Sequence, residues 1–124
     1  MSFSFEGIDH IQLAAPAGAE EAARAFFTGI LGWKELPKPD KLRIRGGVWF
    51  QCGVHQVHLS IQKDFAPAAK AHPAFLVRDL KALRSHLLSN DVHVIDDEMR
   101  EEEGILRFYV QDPFGNRLEF MEYC

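Results

Sequence analysis

Hydrophobic and polar residues alternate with a period of two along several short stretches of the chain, a pattern typical of β-strands. Two other stretches repeat their apolar residues every three to four positions, which predicts helices over 19–31 and 80–89. Gly32 follows the first helix as a C-terminal cap, and Asp79 precedes the second as an N-cap. The predicted strands are 7–14, 33–36, 47–52 and 56–62 in the first half, and 72–77, 92–95, 105–111 and 116–122 in the second.

Each half therefore repeats one order of elements: a strand, a helix and then three strands. A linker at 64–71, with Pro67 and four alanines, separates the halves. The pattern predicts an α+β fold in one domain over 1–124, with module one at about 5–63 and module two at about 71–122. We expect the two sheets to lie edge to edge, with helices on one face and a cavity on the other.

Composition and charge exclude several functional classes. The chain carries 14 basic and 18 acidic residues with no basic stripe, which argues against a nucleic-acid partner. Its apolar runs are too short to cross a bilayer, so no membrane partner is expected. No secretion signal is visible at the N-terminus, which favours the cytoplasm. Cys52 and Cys124 form no CxxC pattern, so neither a disulfide framework nor a zinc knuckle is predicted.

Four side chains with metal-binding chemistry share the polar side of the predicted strands. Because Ile11 and Leu13 occupy the apolar side of the first strand, His10 lies opposite them. The same alternation places the other three on the polar side of their strands: His58, His72 and Glu119. Imidazoles and a carboxylate that converge in a cavity suit one divalent ion, such as Zn, Mn, Fe, Ni or Co.

Further residues are candidates for lining the cavity. Arg107 and Tyr109 alternate with apolar neighbours and are predicted to point inward. An inward Arg107 would hold a substrate anion through two hydrogen bonds, and the alternative is an arginine at the rim or surface. On the third strand, Trp49 and Gln51 alternate with Val48, Phe50 and Cys52, and the sequence leaves open which set faces the cavity.

The chain resembles the vicinal oxygen chelate superfamily, which contains glyoxalase I, extradiol dioxygenases, and the fosfomycin and bleomycin resistance proteins. Four segments carry the resemblance, and the last of them, a turn followed by a ligand-bearing strand, is the most specific. They are Ile8–Ile11, Phe26–Trp33, His72–Phe75 and Asp112–Glu119. The resemblance implies a glyoxalase/dioxygenase-like fold of two βαβββ modules, which form an incomplete barrel around a metal.

The resemblance also implies roles for individual residues. His10, His72 and Glu119 match the two-histidine, one-carboxylate pattern of the fosfomycin-modifying and dioxygenase branches. The fourth family position, which is Glu in bacterial glyoxalase I, is His58 here. That Glu is a ligand and proton shuttle in the family, so His58 is expected to be a fourth ligand or a base. Arg107 and Tyr109 are further catalytic candidates on the strength of the strand alternation alone.

The implied function is a metal-dependent lyase or isomerase of glyoxalase-like type, acting on a small substrate with two adjacent oxygens. Two alternatives stay open. One is an extradiol-type Fe(II) dioxygenase, and the other is a non-catalytic drug- or ligand-binding protein like the bleomycin resistance branch. The family also implies a homodimer.

Overall fold

The computed structural model describes residues 2–124, and Met1, the first residue of the predicted domain, lies outside the described residues. The fold is α+β with two four-stranded sheets, which confirms the predicted fold class. The chain divides into two compact units, of which the first ends at Phe65 and the second begins at Ala66. A search of the described helices finds none with the length and apolar character needed to span a membrane.

The first unit contains one sheet with the strand order β1-β4-β3-β2. Its elements are β1 (His10–Ala15), α1 (Glu20–Ala23) continuing as a π-helix (Arg24–Ile30), β2 (Lys34–Leu36), α2 (Asp40–Arg43), β3 (Val48–Cys52) and β4 (His55–Ile61). The first helix lies where the sequence predicts it, although its second half is π-helical. The short helix α2 was not predicted. It begins after Pro39, whose fixed φ suits the residue before a first helical turn.

The second unit repeats the arrangement with the strand order β5-β8-β7-β6. Its elements are β5 (Ala74–Leu76), α3 (Leu80–Ser89), β6 (Ile95–Asp97), a 3-10 turn (Glu101–Glu103), β7 (Ile105–Gln111) and β8 (Arg117–Tyr123). The strand predicted at 92–95 begins only at Ile95. The reason is that Asp91 adopts a left-handed conformation and the Val92 N–H bonds to the Leu87 carbonyl, which closes the end of α3.

In each unit the apolar side of the strands forms the core. Phe27 of the π-helix packs on Phe50 of β3, with 5.3 Å between ring centroids. In the second unit Phe108 of β7 packs on Phe120 of β8 at 5.7 Å. The strand residues that form the two cores are Leu13, Ala15, Val48, Phe50, Val57 and Leu59, and Phe75, Phe108, Val110, Leu118 and Phe120. The alternation therefore leaves the opposite side of each sheet to the polar candidates.

A tight contact holds the loop that leads into β3. Gly47 has a φ of 90°, and a Cβ added there would overlap the backbone carbonyl of Leu59 on β4. The Gly47 N–H donates to the Glu20 carboxylate at 2.9 Å. Lys38 Nζ donates to the carbonyl of Gly46, which fixes the same loop from another direction. The loop after α2 is thus fastened to the helix side of the unit and to β4.

The first prediction concerns Gly47. Gly47→Ala is expected to lower the free energy of unfolding by about 3 kcal/mol, because the methyl group collides with backbone and the residue keeps a positive φ. Gly53→Ala is the matched control, since Gly53 also has a positive φ but has open space around its Cβ position. The control should cost only about 1–2 kcal/mol. Urea unfolding measures both, and equal losses would contradict the contact.

The helix α3 has two capping side chains at its N-terminus, Asp79 and Glu122. The Asp79 side chain accepts a hydrogen bond from the Ala82 N–H, which confirms the predicted N-cap. The Glu122 carboxylate, from β8, accepts hydrogen bonds from the N–H groups of Leu80 and Asp79 at 3.0 and 2.9 Å. These hydrogen bonds lower the pKa of Glu122 below its usual value. The ionised carboxylate is therefore the form that stabilises the fold.

We expect a pH-dependent stability difference between the wild-type protein and Glu122→Gln. A lowered folded pKa contributes stability above the unfolded pKa of about 4.3 and loses it as the pH falls through the folded value. The melting temperature of the wild type should exceed that of the variant near neutral pH, and the gap should close in acid. Glu6→Gln, an exposed residue with the same charge change, should show no such gap; a gap that persists in acid would contradict the cap.

Candidate functional site

Three aromatic side chains form a stack on the polar side of the first sheet. The His58 ring lies between His10 and Trp49, with centroid distances of 4.1 and 3.9 Å and interplanar angles of 18° and 3°. The strand order explains the stack, because β4 lies between β1 and β3 and Trp49 is the register partner of His58. Trp49 therefore belongs to the polar face, which answers the question that the sequence left open.

His58 is held as a neutral imidazole. Its side chain is buried, and burial is the main cause that lowers its pKa, with the neighbouring His10 adding a smaller repulsion. Its Nε2 lies 2.9 Å from the Gln56 amide oxygen, to which it donates in this assignment. The Nδ1 atom then keeps its lone pair, and a lone pair on a neutral ring is what a metal ligand or a base requires.

The more exposed His10 is oriented by its neighbour in the chain. Its Nδ1 lies 2.9 Å from a carboxylate oxygen of Asp9. Because a carboxylate only accepts hydrogen bonds, Nδ1 carries the proton when the ring is neutral, and Nε2 has the lone pair. A carboxylate that binds the far nitrogen of the ring is the usual partner of a metal-binding histidine.

The second sheet brings His72 and Glu119 together. His72 Nδ1 donates to the backbone carbonyl of Lys70 at 2.7 Å, and His72 Nε2 lies 2.9 Å from Glu119 Oε1. When the ring is neutral, the lone pair of Nε2 faces a buried carboxylate oxygen. Two electron-rich atoms this close need a positive charge between or upon them, either a proton or a cation. The pair therefore fits a divalent ion by its chemistry and by the orientation of its donors.

Arg107 contacts both Asp97 and the carboxylate of this pair. Its side chain is mostly buried, Nη2 donates to Asp97 at 3.0 Å, and Nη1 lies 3.8 Å from Glu119 Oε2. Its Nε is buried and has no hydrogen-bond partner among residues 2–124. The guanidinium therefore compensates the charges of two carboxylates, and one of these belongs to the candidate metal ligand Glu119.

Tyr109 lies at the centre of a second cluster, which it forms in the second unit with His72, Arg107, Arg117 and Glu119. Its buried ring meets the His72 ring edge to face, with centroids 5.3 Å apart. The Arg117 guanidinium carbon lies 4.0 Å from the Tyr109 ring centroid, closer than the 5.7 Å of Arg107. No role for Arg117 was predicted from the sequence. Its position two residues before Glu119, on the same side of β8, was the signal that could have identified it.

A cavity of about 300 Å³ adjoins His58 in the first unit. Its walls come from the polar side of the strands and from the loop around α2. The lining residues are Gln12, Lys38, Leu42, Arg45, Gly46, Trp49, His58, Ser60 and Ile61. A space of this size, with an imidazole and an indole on one side and cationic side chains on the other, suits a small polar molecule.

The structure thus pairs the predicted ligands two by two, each pair within its own unit. His10 contacts His58, and His72 contacts Glu119. Among residues 2–124, no group of three or more His, Cys, Asp or Glu side chains is arranged to hold a metal ion. The binding of one ion by His10, His72 and Glu119 stays a prediction.

Comparisons with known proteins agree with this architecture. Residues 7–120 match the family model described as the Glyoxalase/Bleomycin resistance protein/Dioxygenase superfamily. A crystal structure of a Bacillus anthracis protein assigned to the glyoxalase family is 48% identical, with a TM-score of 0.96 and both chains covered over 100% of their length.

Two more distant structures share the fold. Lactoylglutathione lyase from Agrobacterium tumefaciens is 21% identical, with a TM-score of 0.74, over 94% of this chain and 93% of that one. The fosfomycin resistance protein FosX from Listeria monocytogenes, complexed with Mn(II) and dihydroxypropylphosphonic acid, is 14% identical, with a TM-score of 0.80. That match covers 98% of this chain and 95% of FosX.

The histidine stack makes a spectroscopic prediction. In chelator-treated protein, NMR titration of His58 should give a pKa below the usual value of about 6.5. His10→Phe keeps a ring over His58 but removes the second titrating imidazole, so the pKa should rise part of the way. It should not return fully, because burial is the larger cause. A His58 pKa at or above the usual value in the wild type would contradict the described packing.

Proposed function

Because the chain belongs to the Glyoxalase/Bleomycin resistance protein/Dioxygenase superfamily, we propose that it is a metal-dependent enzyme of lyase or isomerase type. Its substrate would be a small molecule with two adjacent oxygens. The relatives of the same fold include a lactoylglutathione lyase and a protein complexed with Mn(II) and a dihydroxylated phosphonic acid. We also propose that the protein is a cytoplasmic homodimer. The proposal is the same whether one chain supplies all the metal-binding residues or two copies share them.

His10, His72 and Glu119 would hold the ion, with His58 as a fourth ligand or a base. The observation that carries the proposal is the His72–Glu119 pair, in which a ring nitrogen and a carboxylate oxygen converge at 2.9 Å. The far nitrogens of His72 and His10 are both occupied by oxygen acceptors, which orients the near nitrogens for binding. Two imidazoles and one carboxylate accept Zn, Mn, Fe, Ni or Co.

The charges of these residues select the substrate. One carboxylate and two neutral imidazoles leave about one positive charge in excess with a divalent ion, which favours a substrate that binds through anionic oxygens. When bound, the ion would supply Lewis acidity and stabilise negative charge on a substrate oxygen. The other roles in the reaction would be filled by side chains of the protein. The neutral His58 would accept a proton at Nδ1, Trp49 would keep water from one side of that ring, and Arg107 would orient Glu119 from the side of Oε2.

Metal content tests this proposal. Protein purified without a His-tag or chelator is expected to contain close to one divalent ion per site by elemental analysis. Glu119→Gln preserves the size of the side chain but removes the charged donor, and should weaken metal binding by about 100-fold or more in calorimetric titration. Glu98→Gln, an exposed loop residue with the same charge change, should bind metal like the wild type.

The outcomes separate the proposal from its rivals. Turnover of a 2-oxoaldehyde with bound Ni, Co, Mn or Zn supports the lyase, whereas catechol cleavage with bound iron supports the extradiol dioxygenase. If the wild type binds no metal and Glu119→Gln leaves ligand affinity unchanged, the non-catalytic binding protein is the correct class and the proposal is wrong. Size-exclusion chromatography with light scattering tests the homodimer.

A further inference from the structure

We propose that Arg117 recognises an anionic group of the substrate, so that the substrates of this protein carry a carboxylate or phosphate besides their two adjacent oxygens. The adjacent oxygens rest on the proposed function given above. The anion site does not, because it is built from side chains on β7 and β8 of the second unit.

The guanidinium of Arg117 lies over an aromatic ring and has no anionic partner among residues 2–124. Its central carbon lies 4.0 Å from the centroid of the buried Tyr109 ring, a distance typical of cation–π stacking. Stacking occupies the face of the guanidinium and leaves its N–H edge available for hydrogen bonds. No carboxylate of residues 2–124 forms an ion pair with Arg117.

Among residues 2–124, Arg45, Arg78 and Arg117 form no ion pair, but Arg45 and Arg78 are exposed and Arg117 is partly buried; the other arginines are paired. Those that pair with a carboxylate are Arg24, Arg43, Arg84, Arg100 and Arg107. Arg107 is the nearest alternative for binding an anion, but Asp97 and Glu119 already compensate its charge. Arg117 is also partly buried, where an uncompensated charge is less well solvated than at an exposed site. An anionic ligand would supply the missing counter-charge.

The position of Arg117 connects it to the proposed metal ligands. Arg117 and Glu119 are two residues apart on β8, so they share one side of the sheet at a separation of about 7 Å. The ring that carries Arg117 also contacts His72. An anion on the N–H edge of Arg117 would therefore lie one small molecule's length from the His72–Glu119 pair.

The geometry favours oxyanions over other ligands. A guanidinium edge presents parallel N–H donors that match two oxygens of a carboxylate or phosphate group. It offers nothing to a cation and little to a neutral ligand, which gains no charge compensation. Carboxylate and phosphate share this chemistry, and the experiment below distinguishes them.

The test is an NMR titration of chelator-treated protein with inorganic phosphate and, separately, with acetate, following the Nε–H resonance of Arg117. We expect saturable binding of at least one anion. Arg117→Met keeps an apolar stem over Tyr109 but removes the guanidinium, and should weaken that binding by about tenfold or more. Arg78→Met removes one charge from an exposed arginine and should bind like the wild type.

Variants of Tyr109 test the stacking. Tyr109→Phe keeps a ring under the guanidinium and should retain anion affinity, whereas Tyr109→Leu should lose part of it although Arg117 is present. Thermal unfolding shows whether each variant is folded. Saturation by phosphate alone identifies the phosphate class, and saturation by acetate alone identifies the carboxylate class.

Three results would overturn the inference: no saturable binding of either anion to the wild type, wild-type affinity in Arg117→Met, or an equal loss in Arg78→Met. Metal titration of the same variants separates this inference from the proposed function. If the wild type binds no metal but binds anions through Arg117, then the proposed enzyme is wrong and the anion site stands.

Discussion

The parallel pairing of the first and last strands of each unit is the constraint on which both clusters depend. β1 pairs with β4 and β5 with β8, whereas the other strand pairs are antiparallel. A parallel pair requires a crossover connection, which the helix and the intervening strands of each unit provide when the pair closes. This closure brings His72 against Glu119 from 47 positions away. The contacts are products of topology, and no local sequence feature produces them.

The second cluster surrounds a buried carboxylate with partners on both of its oxygens. The Glu119 side chain is buried, and buried polar groups in proteins are usually hydrogen-bonded or paired. Arg107 contacts one of its oxygens and His72 the other. Both arginines approach the Tyr109 ring, but Arg107 also pairs with carboxylates, whereas Arg117 contacts the ring more closely and pairs with none among residues 2–124. Arg107 and Arg117 lie on the neighbouring strands β7 and β8 and thus have different electrostatic partners.

Strand alternation was sufficient to predict much of this arrangement. The period of two placed His58 opposite Val57 and Leu59, and the structure buries those two residues in the core. Asp79 could be predicted as an N-cap because capping depends on only a few neighbouring residues. The start of β6 was harder to predict from the sequence, because the hydrogen bonds that end α3 extend to Val92. The stacks of His58 on Trp49 and of Arg117 on Tyr109 depend on register between strands, which a single sequence does not reveal.

The loop after α2 has a consequence for how ligands are discriminated. The structure has a short helix at Asp40–Arg43, and the chain that leaves it is fastened at Gly46 and Gly47. The wall of the cavity beside His58 is therefore ordered before a ligand arrives, and little chain entropy is lost when one binds. A wall with a fixed conformation does not rearrange to accommodate larger molecules. For any molecule that binds beside His58, such a wall would select by size, and the tolerance for bulky analogues would be low.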